Sequence, residues 1–435
     1  MNYKLVIPVW AIGSFLIVLN TTMFNVSVPS IIHDLNITSE KASWIVSSYS
    51  IGFAASSIIF SRLSDFIPIR KLMLYGIITL GISSILGFIV NGFNLLLIAR
   101  VFQSIGAGSI PGLGMVLSAR YVPVKQRGQA ISILASASAL AFGLGPLFGG
   151  SITEFFGWRT LFLVTCMIIP IGSFLYMLLP EESTRRNYFD AFGAIILVLS
   201  MVNLLLTFAT FHWMFLLISS ISILALYFRL CTTQNPFIPP KLFQNTKYFK
   251  LITIAFFSFI LNMAMLFLMP LILTNWYGKS PLMVGLYIFP GATLSSILVV
   301  FIGRLIDKYN NLRFLIIGHF IITLALFIVS VWIGNSPLVV SMAYLLFAPS
   351  LSTITASLAN EISQILPDNL IGSGLGLSLL MQYTGGSLGV ALCGQLLVWI
   401  NDSGILYTYQ QIFHFLLIIS IFPIILLANY NKTRN

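Results

Sequence analysis

Long apolar runs separated by short polar breaks make up almost the whole chain. Cutting at charged and turn-forming clusters leaves fourteen runs, near 5–30, 43–61, 72–91, 94–119, 128–152, 159–180, 190–210, 213–230, 249–275, 281–303, 313–333, 336–360, 371–400 and 406–428. Runs of ~20 residues, rising ~1.5 Å per residue in a helix, cross a ~30 Å hydrocarbon layer. They lack the ~10-residue alternation of membrane barrel strands. Lipid offers no partner to a backbone N–H or C=O, so such runs are expected to fold as helices that satisfy themselves. The division at "TFHWMF" (210–215) is the weakest, because two helices there can also be read as one. The first run is longer than the apolar core of a cleaved signal and has no small-residue cleavage pattern, which predicts a retained helix.

Composition agrees with this pattern. Of 435 residues, 58% are hydrophobic and 8% charged, with a mean hydropathy of +0.99; soluble domains carry about 25% charged residues. The expected class is an all-α integral membrane protein in a lipid bilayer. Its net charge of +11 would suit nucleic acid, but the cations are sorted along the chain. With the N-terminus inside, 18 of the 22 Lys and Arg fall in inner segments, and only Lys41, Arg159 and Lys279 in outer ones. This positive-inside bias predicts that both termini are cytoplasmic, and it makes the charge a mark of orientation, with no nucleic acid partner. Cys166, Cys231, Cys393 and the four histidines are scattered without metal-ligand or disulfide spacing, so no metal and no cofactor is expected. The longest inner breaks, 181–189 and 231–248, are too short for a catalytic domain, and the chain has no GxxxxGK[ST] stretch. An enzyme and an ATP-driven pump are both excluded on this reading.

Two landmarks repeat at one offset. "SRLSDFIPIRKL" from Ser61 and "GRLIDKYNNLRF" from Gly303 place Asp65 and Asp307 242 residues apart, and Asn20 and Asn262 share that spacing. The expected organisation is a six-helix unit over 1–180, two inserted helices with inner linkers over 181–248, and a second six-helix unit over 249–435. Duplicated bundles that rock about a midplane site are a common architecture of secondary transporters.

Polar residues within the runs mark candidate chemistry. Arg100 lies six residues inside its helix, roughly 9 Å from the outer end, with Gln103 one turn below. An intramembrane charge is costly and points to function by default. The stretch "LNTTMFNVSVP" (19–29) puts Asn20 and Asn25 at a similar depth. "AFGLGPLFGG" (141–150) concentrates Gly145, Pro146, Gly149 and Gly150, where missing side chains allow close helix approach and proline bends the helix.

Taken with the paired loops, these stretches resemble the major facilitator superfamily, and within it the fourteen-helix drug:proton antiporter branch of bacterial multidrug and tetracycline exporters. "RVFQSIGAG" (100–108) is similar to that branch's Arg-x-x-Gln-Gly motif with Ser104 for the glycine. Residues 141–150 are similar to its Gly-x-x-x-Gly-Pro-x-x-Gly-Gly motif without the first glycine. The resemblance implies two six-helix bundles plus two inserted helices, and export of amphipathic drugs in exchange for protons by alternating access. It further implies a monomer in a bacterial plasma membrane. Asp65 and Arg70, with Asp307 and Arg313, would be gating loops, Asp65 meeting the positive end of the third span and neighbouring arginines.

One departure matters. Where the branch has aspartate in its first helix, this chain has Asn20, and an amide cannot carry a proton. None of the eleven acidic residues falls at the centre of a span. Asp34 and Glu154, nearest the outer cavity mouth, are the candidate proton carriers. Phe24, Trp44, Tyr49, Met23, Met263 and Met265 are candidate cavity linings for flat amphipathic substrates. The alternative is a transporter of one specific metabolite, with or without proton coupling.

Overall fold

A computed structural model describes residues 3–182, 190–233, 236, 238–308, 310–400 and 404–434, with backbone alone at 119, 209, 368–369, 433–434 and over parts of 124–135 and 299–308. Sixteen helices and no strand occur among the described residues: α1 (Tyr3–Leu35), α2 (Ser39–Leu63), α3 (Ile69–Ile89), α4 (Phe93–Tyr121), α5 (Val124–Phe156), α6 (Thr160–Cys166), α7 (Ile168–Leu178), α8 (Ala191–Thr210), α9 (Trp213–Thr232), α10 (Lys241–Gln244), α11 (Thr246–Asn275), α12 (Pro281–Lys308), α13 (Asn311–Trp332), α14 (Pro337–Ile365), α15 (Asp368–Trp399) and α16 (Ile405–Arg434). Fourteen stretches are long and apolar enough to cross a membrane, α6 and α7 counting as one that breaks at Met167. The doubtful division is real. Phe211 adopts a left-handed conformation (φ 51°) that ends α8, and the His212 side chain accepts a hydrogen bond from Met214 N to start α9.

Polar residues punctuate the helices as capping chemistry requires, by accepting from N–H groups that have no partner in the first turn. Thr38 caps α2, Asp190 α8, Asn245 α11, Asn310 α13 and Ser336 α14. Between the caps, large apolar side chains such as Ile82, Met177, Phe228 and Ile418 stand exposed. Such surfaces are aggregation-prone in water and ordinary against lipid tails.

In the first half of the chain α4 packs against α2 and α3, and α5 against α1. In the second, α14 packs against α12 and α13, and α11 against α15 and α16. Two seams join the halves, α5 with α12 and α2 with α15, and α1 also touches α11. Helix α8 lies against both α15 and α2, while α9 packs on α8. Only 11% of the α9 span is buried in the protein against 78% of α11, so α9 is peripheral and α11 central. The even number of spans puts both chain ends on one face, here the terminal face.

Hydrogen bonds cross between the halves at Ser47 Oγ to Ser387 O (3.0 Å), Ser296 Oγ to Ala139 O, and Leu282 N to Glu154 Oε2 (2.8 Å). By position along their helices these run from mid-bundle to the face opposite the termini. The halves are therefore joined on that face.

Candidate functional site

Arg100 is the centre of a buried polar cluster built from five spans. It is 1% exposed. Its guanidinium lies between two aromatic faces, Phe24 of α1 and Tyr49 of α2, each 4.0 Å from Cζ to ring centroid. Nη1 donates to Asn20 Oδ1 (3.2 Å) and Gln103 Oε1 (2.6 Å). The shell continues outward: Gln103 Nε2 donates to Ser84 Oγ of α3 (2.9 Å), and Asn20 Nδ2 to Thr165 Oγ1 of α6. Arg100 and Gln103 share a face of α4 because residues three apart are neighbours on a helix.

The electrostatics are unusual in one respect. No carboxylate among the described side chains reaches Arg100. Burying an unpaired charge costs several kcal/mol, while each cation–π contact returns about 2 kcal/mol when desolvated. The two rings and two amide oxygens offset part of that cost. Arg100 Nε is buried without a hydrogen-bond partner, and the Tyr49 hydroxyl is buried against Thr21 of α1.

The other polar positions separate. Asn25 and Asn262 are buried, but neither joins the Arg100 cluster. The offset that carries Asn20 to Asn262 carries Arg100 to Met342, so the second half has no matching arginine. Of the candidate cavity linings, Phe24 and Tyr49 clamp Arg100, whereas Met23 packs against Gly149 and Met263 against Gly386. Met265 is fully buried, and Trp44 packs at the edge of the second-half core.

The α5 glycines lie between two neighbours. A side chain at Gly145 would collide with Thr22 of α1, and one at Gly149 would lie 2.7 Å from the Met23 Cα and O atoms. Gly150 faces the Pro281 carbonyl of α12, and the Pro146 carbonyl faces Gly285 of the same helix. This stretch holds one helix of each half against α5. Just beyond it, Glu154 accepts from Leu282 N in the first turn of α12, where a carboxylate also meets the helix's positive end. Asp34 is occupied within the first half, by Arg159 Nη1 (2.6 Å) and Trp158 Nε1 (3.0 Å).

At the terminal face a second cluster surrounds Asp65. Arg120 Nη2, at the end of α4, pairs with Asp65 Oδ1 (2.7 Å). The carboxylate at the start of α3 is Glu182, which accepts from Ile69 N (2.7 Å). This corrects the expectation that Asp65 fills that place: Asp65 is drawn to Arg120 and leaves the N–H to Glu182. Tyr121 donates to Glu182, and its phenol is pushed upward by burial and by that carboxylate. Arg70 pairs with Glu181 (2.9 Å) and lies over the Tyr176 ring. A pocket of about 490 Å³, lined by Asp65, Pro68, Arg120, Tyr121 and Glu182 among others, opens here. Among the described residues these partners all lie between Ser64 and Glu182, and none belongs to the second six-helix unit. In the second half Arg313 is exposed, and the Asp307 side chain lies outside the described residues.

Sequence reasoning missed Thr165, Ser84, Arg120, Glu181 and Glu182. A charge at a helix end was the available signal for the last three, but no spacing relates Glu182 to Ile69.

Residues 10–390 match the family model for the Major Facilitator Superfamily. The chain belongs to the major facilitator superfamily. It is thus a multi-pass membrane transporter of small molecules rather than an enzyme. This facilitator is 27% identical over 342 residues to the riboflavin transporter RibZ of Clostridioides difficile, covering 77% of this chain and 75% of that one. It is 24% identical over 407 residues to the uncharacterized MFS-type transporter YcnB of Bacillus subtilis, covering 90% and 85%. In fold it is similar to a bacterial homolog of the human lysosomal transporter Spinster, in an inward-facing and occupied conformation (TM-score 0.72, 15% identity, covering 100% and 98%). A D-xylose–proton symporter is also similar (TM-score 0.70, 14% identity, covering 97% of each chain).

Proposed function

We propose that this facilitator exports amphipathic, drug-like compounds in exchange for protons, as a monomer in a bacterial plasma membrane with both termini cytoplasmic. The two six-helix units, 1–180 and 249–435, rock about the seams, and the Arg100 cluster faces the transport route. Asp65, Arg70, Asp307 and Arg313 act as gating loops. The observation that carries the reading is Glu154, a titratable carboxylate at the end of the α5 glycine stretch and bonded across the seam to Leu282 N at 2.8 Å. Protonation removes the charge that favours this contact at the α12 N-terminus, so proton uptake loosens the closed face. Asp34, the other candidate, is held by an ion pair inside one half and has no such lever on the seam.

A second reading, uptake or export of one metabolite without protons, is favoured by Asn20. Its amide bonds Arg100 at 3.2 Å where a titratable acid would otherwise couple, and one relative is a riboflavin transporter.

Everted vesicles holding an imposed pH gradient, challenged with cationic, zwitterionic, neutral and anionic drugs, separate the two. Substrate-induced collapse of the gradient is expected for wild type and Asp34→Asn, and loss of collapse for Glu154→Gln and Arg100→Ala. Counterflow of a labelled compound without any collapse would sink proton exchange and leave the second reading.

A further inference from the structure

Arg100 has no counter-anion among the described side chains, and its free donors are arranged to receive one. Both of its hydrogen bonds leave from Nη1 and end on neutral amide oxygens. Nε is buried and donates to nothing. The Nε–Nη2 edge of a guanidinium is one that binds a carboxylate side-on through two parallel bonds. Beside it lies the Tyr49 hydroxyl, buried against Thr21, on the ring that covers the same guanidinium at 4.0 Å. Asn20 and Gln103 use their oxygens on Nη1 and so orient the group while leaving its charge uncompensated.

From this cluster an aromatic series leads to the other half. Tyr49 stacks on Phe53 (6.2 Å between centroids, 11° between planes), Phe53 meets the edge of Tyr383 of α15 (5.0 Å), and Tyr383 lies 6.0 Å from Phe259 of α11. Flat apolar ligands bind well to such faces. We infer that Arg100 and Tyr49 form the anion-binding end of the substrate site, and that the substrates of this facilitator are aromatic carboxylates whose ring systems lie along Phe53 and Tyr383. The inference rests on the proposal that Arg100 faces the transport route, and it narrows the substrate class that proposal leaves open.

The test is binding of naphthalene-2-carboxylate, naphthalene-2-carboxamide and naphthalen-2-ylmethylammonium to the purified full-length protein in lipid nanodiscs, read by calorimetry. The three share one ring system and differ in the charge presented to Arg100. The carboxylate is expected to bind ~10-fold or more tightly than the carboxamide, since a charge-assisted pair is about twice as strong as a neutral one. Tyr49→Phe keeps the ring and removes the hydroxyl; it is expected to weaken the carboxylate several-fold and the carboxamide, a weaker acceptor, by less. Arg100→Gln is expected to erase the preference. Should that variant fail to fold, Tyr49→Phe decides alone. Equal binding of all three, tighter binding of the ammonium, no binding of the carboxylate, or a preference that survives Arg100→Gln would each overturn the inference. Counterflow in proteoliposomes keeps the two proposals apart. Carboxylate preference without any transport defeats the export reading alone, and transport of uncharged compounds without carboxylate preference defeats the anion site alone.

Discussion

Asn20 and Arg100 show what single residues decide here. The Asn20 amide gives Arg100 an oxygen at 3.2 Å without a charge. Asn20→Asp would supply the counter-charge internally, and the expected result is carboxylate binding weakened ~10-fold or more, the order seen when charge pairs are rearranged at close range. An aspartate also titrates. Paired with Arg100 it keeps its charge to lower pH than an aromatic carboxylate keeps its own, so lowering the pH should not restore binding in Asn20→Asp; calorimetry across pH reads this directly. Asn20 and Arg100 were conspicuous in the sequence because such groups are rarely left without a task in an apolar helix. Thr165 and Ser84 were not. A hydroxyl in a helix can bond its own backbone one turn back, as Thr165 does to Leu161 O at 3.2 Å, so it attracts no attention until a distant partner reaches it.

Among the elements, α5 carries the sharpest constraint. Its glycines permit backbone contact on two sides, and the sides have different consequences. Gly149→Ala places a methyl group 2.7 Å from the Met23 backbone within one half. Overpacking against backbone costs ~1–3 kcal/mol, so a lower thermal unfolding temperature in detergent is expected. Gly150→Ala instead meets the Pro281 carbonyl across the seam. That substitution should favour separation of α5 from α12, and a cysteine placed at Leu282 should react faster with a membrane-impermeant maleimide. Unchanged labelling would remove Gly150 from the seam's closure. Helix number and type were readable because bilayer thickness fixes span length and lipid forbids unsatisfied backbone. The break at Met167 inside the sixth span was not, since its neighbours are as apolar as any helix interior. Nor was the role of Glu182, which depends on where the end of one span comes to rest beside the start of another.

On the scale of the whole molecule, the seams govern access. Position 394 of α15 lies against Ser43 of α2, where a side chain at Gly394 would come 2.6 Å from Ser43 Cβ. Cysteines at 43 and 394, in a chain with Cys166, Cys231 and Cys393 replaced, are within reach of a disulfide after a small relaxation. Oxidation should stop transport and reduction restore it. Full transport with the bond formed would mean that the α2–α15 seam does not open.

The sequence by itself determined the fourteen spans, the helical class and the family motifs, because the bilayer acts on each segment separately and hydrophobicity is a property of residues. It also singled out Arg100 and Asn20, since polarity in an apolar run is visible without any neighbour. Only the tertiary structure decided what they touch: Phe24 and Tyr49 on the faces of the guanidinium, no carboxylate among the described side chains at its edge, and Glu154, still exposed, bonded across the seam. Those are contacts between helices far apart in sequence, fixed by how α1, α2, α4, α5 and α12 pack, and no local pattern encodes them.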